Sequence, residues 1–561
     1  MKLHNQFLKL HSHYGGAEEI SVTLDELAAV LDCTHRNALH IINKMAKLEW
    51  IAWTPSRGRG RRSQLQFLVR SEEVALESMM QAISRKDVHH AIEGIRTHAR
   101  SSSLQDTLQG WLLTYFGHHA EIRSDKQIDT LRLPVTQKLH TLDPLYMNLL
   151  AESFVSSHVF DGLVRRSGEP NKIVSGLAHA WEVDKSRTVW TFFLRKEVLF
   201  HHGKVLTAED VVHSFQRLMQ TSQRTLYSYI YKGIQEVKAM NPRVVRIQLK
   251  QPNELFLPFL CTSRAAIVPR DLEGSGDGST GWRPIGTGPF KVSGMNEDSC
   301  ELEVFPYYFQ GRAHLDRVEI IYVPWNTANS SADTGSAFHV IQNPATDDPS
   351  DPLSWSRIQS ESSVRKFVTC NTKKKGPLSD PLFRAQMMSC LLASASGGRT
   401  AETTGNSVPL QIATIPQYAA DAHYIEERLV RSGYKCNVVC VSPEEFKGPI
   451  RLESDLIVFS LFRDQDEQLR LFDLYLTLSQ HLDPYIRVDI ESWLDLISRE
   501  PDSAARAEGF KRIESRLIEG HHLYILYEKP TQTAYLPSVR GVTFNSQGWV
   551  DLRHVWFPPI I

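Results

Sequence analysis

Long apolar runs are missing from this 561-residue chain, the longest candidates being short stretches such as Leu456 to Phe462. A bilayer-spanning helix needs roughly 18 to 20 apolar residues, so no membrane crossing is expected. The opening MKLHNQFLKLHSHYGG places apolar and polar residues at helical spacing and lacks the continuous apolar core of a secretory signal. Cys33 follows the acidic Asp32 with no apolar segment of signal-peptide length ahead of it, which argues against a lipoprotein cleavage site. Export is therefore not expected. Cysteine is sparse and unpatterned: seven residues, at 33, 261, 300, 370, 390, 436 and 440, an odd number with no CxxC pair. Cys436 and Cys440 share a face of a strand or a helix, but no cluster beside them completes a metal site. Buried free thiols in the reducing cytoplasm are the expectation. There is no net charge of either sign, 63 Lys and Arg against 64 Asp and Glu. No GxSxG elbow, HExxH pair or other nucleophile-and-base set is visible, so neither catalysis, a cofactor nor a metal is expected. What is present is ordinary globular material, 42% hydrophobic and 23% charged, long enough for two to four folding units.

Charge neutrality conceals a local asymmetry. From His35 to Arg70 there are eight Lys or Arg and one acid, Glu49, and four of the arginines fall in RGRGRRS, residues 57 to 63. Ahead of this stretch, Thr23 and Glu26 have capping-box spacing and open a short helix with Leu24, Leu27, Ala28 and Leu31 on one face. Asp32 and Cys33 form a turn, and Thr34 caps a second helix running to about Lys47. On that helix Ala38, Leu39, Ile42, Met45 and Leu48 read as the buried stripe. His35, Arg36, Asn37, His40, Asn43, Lys44 and Lys47 form the polar face, with groups suited to base edges near its start and to phosphates further along. The plain alternative is a solvated helix face. The β-prone EWIAW and SQLQFLV flank the arginine turn, and no local acid offers to pair Arg57, Arg59, Arg61 or Arg62. Helix, turn, helix and a two-stranded basic wing describe a winged helix-turn-helix whose partner is double-stranded operator DNA. The wing arginines either enter a groove or hold phosphates. Residues 71 to about 124 read as a mostly helical, polar connector, giving a first domain over 1–124.

From about Ile128 strands, turns and helices alternate. Val189 to Leu194 reads as a strand. Thr207 and Asp210 form a capping box opening a helix that buries Val211, Val212, Phe215 and Leu218. The run LAHAWEVDKSRTVWTFFLRKEVLFHHGKVLTAEDVVHSFQRLM, with TLDPLYMNLLAESFVSSHVFDGLV before it and PIGTGPFKV, YYFQGRAHLDRVEIIYVP and NTKKKGPLSDPLFRAQMMSCLL after it, resembles the family 5 solute-binding proteins of ABC transporters, block by block and in order. Joined to a leading winged helix, the whole chain resembles the SgrR family of bacterial transcriptional regulators. The resemblance implies a multidomain protein: an N-terminal α-rich winged helix-turn-helix, then a two-lobed α/β periplasmic-binding-protein-like domain of type II over 125–561. Lobe I is expected from about 128 to 330 with C-terminal strands returning to it, and lobe II from about 331 to 525. It further implies a cytoplasmic, ligand-responsive regulator; the alternative is a transport-associated peptide- or solute-binding protein.

The ligand is less legible. Peptide binders of this family carry an aspartate that receives a ligand amine, and the comparable region here is FSLFRDQDE, residues 459–467, which places Arg463 near that position. A guanidinium there suits a phosphate or carboxylate, so the resemblance favours a sugar phosphate over a sugar or a peptide. Asp464 is close enough to reverse the reading, and pairing of Arg463 with Asp464 or Asp466 is the structural alternative. Trp549 is a further candidate ligand contact, with a buried structural role as its alternative. GSGDGSTG at 274–281 lacks the GK[ST] ending of a phosphate loop and reads as a connection. The doublets His118-His119, His201-His202 and His521-His522 read as structural or solvated histidines. The oligomeric state is not legible.

Overall fold

The computed structural model describes residues 2–558 except 15–18, 57–60, 72, 76, 79–115, 124–125, 136–137, 148, 168, 170–171, 222–224, 272–283, 297, 323–355, 393–407, 447, 464–465, 536–538 and 545–548. The chain divides into two compact units, Met1–Gly117 with Ile321–Thr327, and His118–Ile320 with Ala328–Ile561.

In the first unit, α1 (Lys2–Tyr14), α2 (Leu24–Leu31) and α3 (His35–Lys47) pack with a three-stranded antiparallel sheet of β1 (Ile20–Val22), β3 (Ser63–Phe67) and β2 (Ile51–Thr54), in the order β1-β3-β2. The Thr23–Glu26 capping box forms reciprocally: Glu26 N donates to Thr23 Oγ1 at 3.2 Å and Thr23 N to Glu26 Oε2 at 3.0 Å. Asp32 closes α2 in the left-handed region (φ 50°) and sets the tight turn into α3. Phe7 of α1 meets the edges of Trp50 and Phe67 at the base of the wing. The expected stripe on α3 needs correction: Leu39 and Leu48 are 39% and 49% exposed, while Ile41 joins Ala38, Ile42 and Met45 inside. Positions 38, 41, 42 and 45 are the i, i+3, i+4, i+7 arc that faces α1 and α2 together, and Leu39 falls a turn-third away from it. β1, too short to show periodicity, was absent from the sequence reading.

The second unit holds three larger sheets. An antiparallel sheet orders β8 (Ala178–Val183), β9 (Val189–Leu194), β10 (Ile234–Asn241) and β11 (Val244–Leu249) as β10-β11-β9-β8. Across it lies α5 (Ala208–Gln220), opened by the Thr207–Asp210 capping box and burying Val211, Val212, Phe215 and Leu218 as its sequence indicates. A five-stranded sheet orders β12 (Phe290–Met295), β13 (Ser299–Val304), β14 (Arg317–Tyr322), β5 (Lys126–Val135) and β4 (Gly117–Arg123) as β12-β13-β14-β5-β4. β4 corrects the helical reading of the connector at its end; residues 79–115 of that connector, and 274–281, lie outside the described residues. The third sheet orders β15 (Ser356–Cys370), β16 (Leu410–Thr414), β17 (Cys436–Cys440), β18 (Leu456–Arg463) and β19 (Leu523–Tyr535) as β17-β16-β18-β15-β19, with β16 parallel to β17 and β18, and β15 antiparallel to β18 and β19. Strand alternation sends Val368 and Cys370 into a core with α6 (Pro381–Leu392) and α7 (Ala419–Arg431). Phe367 and Leu461 instead join α8 (Glu467–Ser479), α9 (Pro484–Arg499) and α10 (Ser503–Glu519).

Two features aim the chain at one cleft. After residue 538 the chain returns to α4 (Leu150–Val159): the Trp549 ring meets Phe154 edge-on, Leu552 N donates to His158 Nε2 at 3.1 Å, and Phe557 stacks on His118 at 3.8 Å. Gly286 and Gly288 of PIGTGPFKV lie against the end of α4, where a Cβ would approach Val159 O to 2.1 Å and His158 O to 2.6 Å respectively. Only glycine permits that approach, and it carries Thr287 to the side chain of Asp161.

The seven cysteines are free: Cys300 and Cys370 are buried, Cys33, Cys261, Cys390 and Cys436 half-buried, and Cys440 exposed. The expectation of uniformly buried thiols fails at Cys440, which ends the outer strand of its sheet. Among the described residues no helix is long and apolar enough to cross a membrane, and no group of His, Cys, Asp and Glu has metal-binding geometry.

Candidate functional site

The first unit presents one polar helical face. His35, Arg36, Asn37, His40, Asn43, Lys44 and Lys47 are all exposed on α3, opposite the buried 38/41/42/45 arc. His35 Nε2 lies 2.5 Å from Asp25, linking the start of α3 to α2. The amides and guanidinium near the N-terminus, followed by ammonium groups a turn or two later, remain open to solvent and to an anionic partner.

The wing is less uniform than its sequence suggests. Arg57 and Arg59 lie outside the described residues, and Arg61 is exposed. Arg62 is not free of local acids: Nη2 reaches Glu26 Oε1 at 3.1 Å and Oε2 at 3.3 Å, and Nε donates to Ser21 O at 3.1 Å. Glu26, 36 residues upstream, is brought to the wing by pairing of β1 with β3, a contact that local sequence inspection could not find. Arg62 thus ties the wing's base to the capping box of α2.

The second unit has a cleft of about 360 Å³ between the end of α4, the short β6 (Val164–Arg166), the 261–266 turn and the returning C-terminal segment. Asp161 lines it, accepting from Thr287 Oγ1 at 2.9 Å and Tyr308 OH at 3.1 Å. Burial pushes its carboxyl above the usual range despite these bonds, and burial with Asp161 nearby pushes the Tyr308 phenol well up. Asp551 and Arg553 form a second polar group: Arg553 Nε donates to both Asp551 oxygens at 2.7 and 2.9 Å. Burial raises the Asp551 pKa, but bonding to Arg553 outweighs it and leaves the carboxylate below its ordinary value. Burial lowers that of His158, which donates from Nδ1 to Phe154 O at 2.9 Å and accepts at Nε2, a neutral ring fixing the wall.

Arg165 and Arg166 bring two further guanidiniums. Arg165 Nε is buried without a hydrogen-bond partner among the described residues. Arg166 Nε lies 3.2 Å from Asp466 Oδ1, both side chains almost fully buried, joining β6 to the N-cap of α8 across 300 residues of chain. The cleft therefore offers three guanidiniums, two carboxylates and several hydroxyls, with Phe160 and Phe544 as apolar wall. That chemistry suits a small polar solute carrying charge and hydroxyls.

Of the residues singled out for the ligand, two cannot be placed against this cleft. Arg463 is the last residue of β18, in register with Ser363, and its side chain is not described; Asp464 lies outside the described residues. Asp466, named as a pairing partner for Arg463, pairs with Arg166. Trp549 is buried on Phe154 and does not line the cleft, which Asp551 and Arg553, two and four residues further on, do. Sequence reasoning missed Asp161, Arg165, Arg166, Tyr308, Asp551 and Arg553. The one available signal was the polarity of Asp161 and the Arg165-Arg166 doublet inside the apolar VFDGLVRRS. The histidine doublets are placed structurally: His118 bonds Asp129 at 2.8 Å, His201 bonds Gly288 O at 3.0 Å, His202 lies 3.3 Å from Asp271, and His522 is buried.

Comparison with known proteins bears on both units. Residues 2–118 match the family "Sugar transport-related sRNA regulator N-term", and residues 172–386 match "Bacterial extracellular solute-binding proteins, family 5 Middle". The chain is 25% identical to the HTH-type transcriptional regulator SgrR of Pectobacterium atrosepticum (strain SCRI 1043), covering 100% of this chain and 99% of that one. It is 27% identical to the uncharacterized protein YhjP of Bacillus subtilis (strain 168), over 97% of each. Among solved structures, the periplasmic binding protein DppA from Helicobacter pylori, in complex with the peptide STSA, aligns with TM-score 0.61 at 17% identity, over 76% of this chain and 98% of that one. NikA from Brucella suis, in complex with Fe(III)-EDTA, aligns with TM-score 0.61 at 17% identity, over 76% and 100%. At such identities the likeness establishes the solute-binding fold. It does not select a ligand, since these two neighbours alone hold a peptide and a metal chelate.

Proposed function

Because the chain belongs to the SgrR family, with that family's N-terminal domain ahead of a family 5 solute-binding domain, we propose that it is a ligand-responsive, DNA-binding transcriptional regulator. The first unit reads double-stranded operator DNA through the exposed face of α3, Arg36 and Asn37 at base edges and Lys44 and Lys47 at phosphates, with the wing along the backbone. The second unit takes a small solute in the cleft around Asp161, Arg165 and Arg553. A regulator that binds operator DNA acts in the cytoplasm, which is the compartment proposed here, and no catalytic role is proposed for it.

The observation that carries this reading is the coexistence, in one chain, of a three-stranded winged helix with a basic solvent-facing helix and a polar solute cleft lined by three arginines and two aspartates. The solute is proposed to be a hydroxyl-bearing organic anion of sugar-phosphate size. Arg165 Nε is the donor left for its anionic group, and Asp161 is an acceptor for its hydroxyls. A thermal-shift screen of the full chain against sugar phosphates, free sugars and short peptides tests this. Stabilisation by sugar phosphates that is lost in Arg165→Met supports it; stabilisation by peptides alone overturns the choice of solute.

A further inference from the structure

A second concave site lies at the end of the β10-β11-β9-β8 sheet, distinct from the cleft. It is an open cavity of about 550 Å³ formed where β9 ends, where β10 turns into β11, and where Phe309 comes in from the loop after β13. Among the described residues its wall carries Arg195, Lys196, Arg243 and His179 and no Asp or Glu. Glu197, next in sequence to Lys196, is not part of the wall.

Arg195, Lys196 and Arg243 have no ionic partner among the described residues, whereas two other cations of this part of the fold do: Lys238 lies 2.7 Å from Glu236, and Arg187 pairs with Glu254. Arg195 is held in place from behind. Its Nε donates to Gly176 O at 2.8 Å, one terminal nitrogen donates to Ser175 Oγ at 2.9 Å, and its guanidinium lies 5.7 Å from the Phe309 ring centre. That leaves the other terminal nitrogen as a preoriented donor at the cavity. The Phe193 and Phe309 rings supply the apolar part of the wall.

An unbalanced set of three permanent cations around a concavity carries a repulsive cost that an anion relieves. A fixed guanidinium with two mobile cations fits an anion with several oxygens better than a single carboxylate. We propose that this cavity is a second binding site, for a small polyanion of the di- or triphosphate class, separate from the solute cleft. The Arg195 fork orients one phosphate, and Lys196 and Arg243 share the remaining charge.

The test uses the full-length protein and pyrophosphate and ATP as probes, with sodium chloride at matched ionic strength as control. Thermal shift and equilibrium dialysis are read for the wild type, for Lys196→Gln/Arg243→Gln and for the cleft variant Arg165→Met. The paired variant removes two exposed side chains that hold nothing in the fold. The expected result is stabilisation by pyrophosphate or ATP beyond the chloride control, affinity falling roughly tenfold or more in the paired variant, and no change in Arg165→Met. Absence of any shift beyond chloride, or affinity unchanged in the paired variant, overturns the proposal. Loss in Arg165→Met with retention in the paired variant places the anion in the cleft and overturns it equally.

Discussion

Replacing Asp466 by Ala should destabilise the second unit more than any other single charge removal proposed for it. Asp466 and Arg166 face each other at 3.2 Å with 1% and 6% of their side chains exposed, so deleting one partner leaves the other charged in a dry environment. Breaking such a pair costs about 3 to 5 kcal/mol, while exposed pairs are worth about 1 kcal/mol or less. For a unit of this size, with an unfolding entropy of roughly 0.9 kcal/mol per kelvin, that is a fall of about 3 to 5 °C in the second unit's transition. Arg166→Met should cost a similar amount. The double variant Arg166→Met/Asp466→Leu removes both charges and should recover at least half the loss of either single variant, because the pair's own desolvation cost disappears with it. Differential scanning calorimetry of the full chain, with the two units' transitions resolved separately, is the assay. Single variants within about 1 kcal/mol of wild type, or a double variant equal to the sum of the singles, would refute the assignment of this pair as a buried, coupled bond.

Other outcomes follow from the same geometry. Burial depresses His201 and His522 to about 4, below the ordinary histidine value of 6.5, so their stabilising neutral form is fully present above about pH 6.5 and is lost as pH falls towards 4. Each is worth on the order of 3 kcal/mol at full effect, and His201→Gln should reduce the loss of stability between pH 7 and 4.5 by about 2 kcal/mol, read by urea unfolding; an unchanged pH profile contradicts it. Replacing Arg57, Arg59 and Arg61 together should lower the slope of log K against log salt for DNA by about 2 to 3, measured by fluorescence anisotropy, and an unaltered slope removes the wing from the phosphates. Arg62→Ala, by contrast, should lower the first unit's stability by about 1 kcal/mol or less, through loss of the exposed Glu26 pair; a loss confined to DNA affinity would contradict its anchoring role. Arg36→Ala or Asn37→Ala should change the sequences recovered from randomised DNA, whereas Lys44→Ala should weaken all sequences alike; the reverse pattern inverts the assigned roles.

Local signals in this chain were read well where the physics is local. Both capping boxes, the β9 strand, the α5 stripe and the seven polar residues of α3 depend on neighbours within a few positions, and all stand as their spacing indicates. Failures occur where a distant segment decides. Leu39 is exposed because α1 and α2 jointly choose which arc of α3 is buried. Arg62 is paired because β1, three residues long, brings Glu26 to the wing. The cleft shows the same limit more strongly: Asp161 meets Thr287 and Tyr308 from 126 and 147 residues away, and Arg166 meets Asp466 across 300. Inspecting residues 459–467 could not show that Asp466 pairs with Arg166, which lies 300 residues earlier in the chain.

Linkage between the two units is the central claim, and DNA affinity at zero and saturating cleft ligand measures it most directly. With the solute identified by the thermal-shift screen, operator binding by the full chain should change by between about 5- and 150-fold, and operator DNA should change the solute's affinity by the same factor. An operator affinity that stays constant while the cleft fills would contradict the account, leaving a DNA-binding unit and a solute-binding unit that share a chain without sharing a free energy.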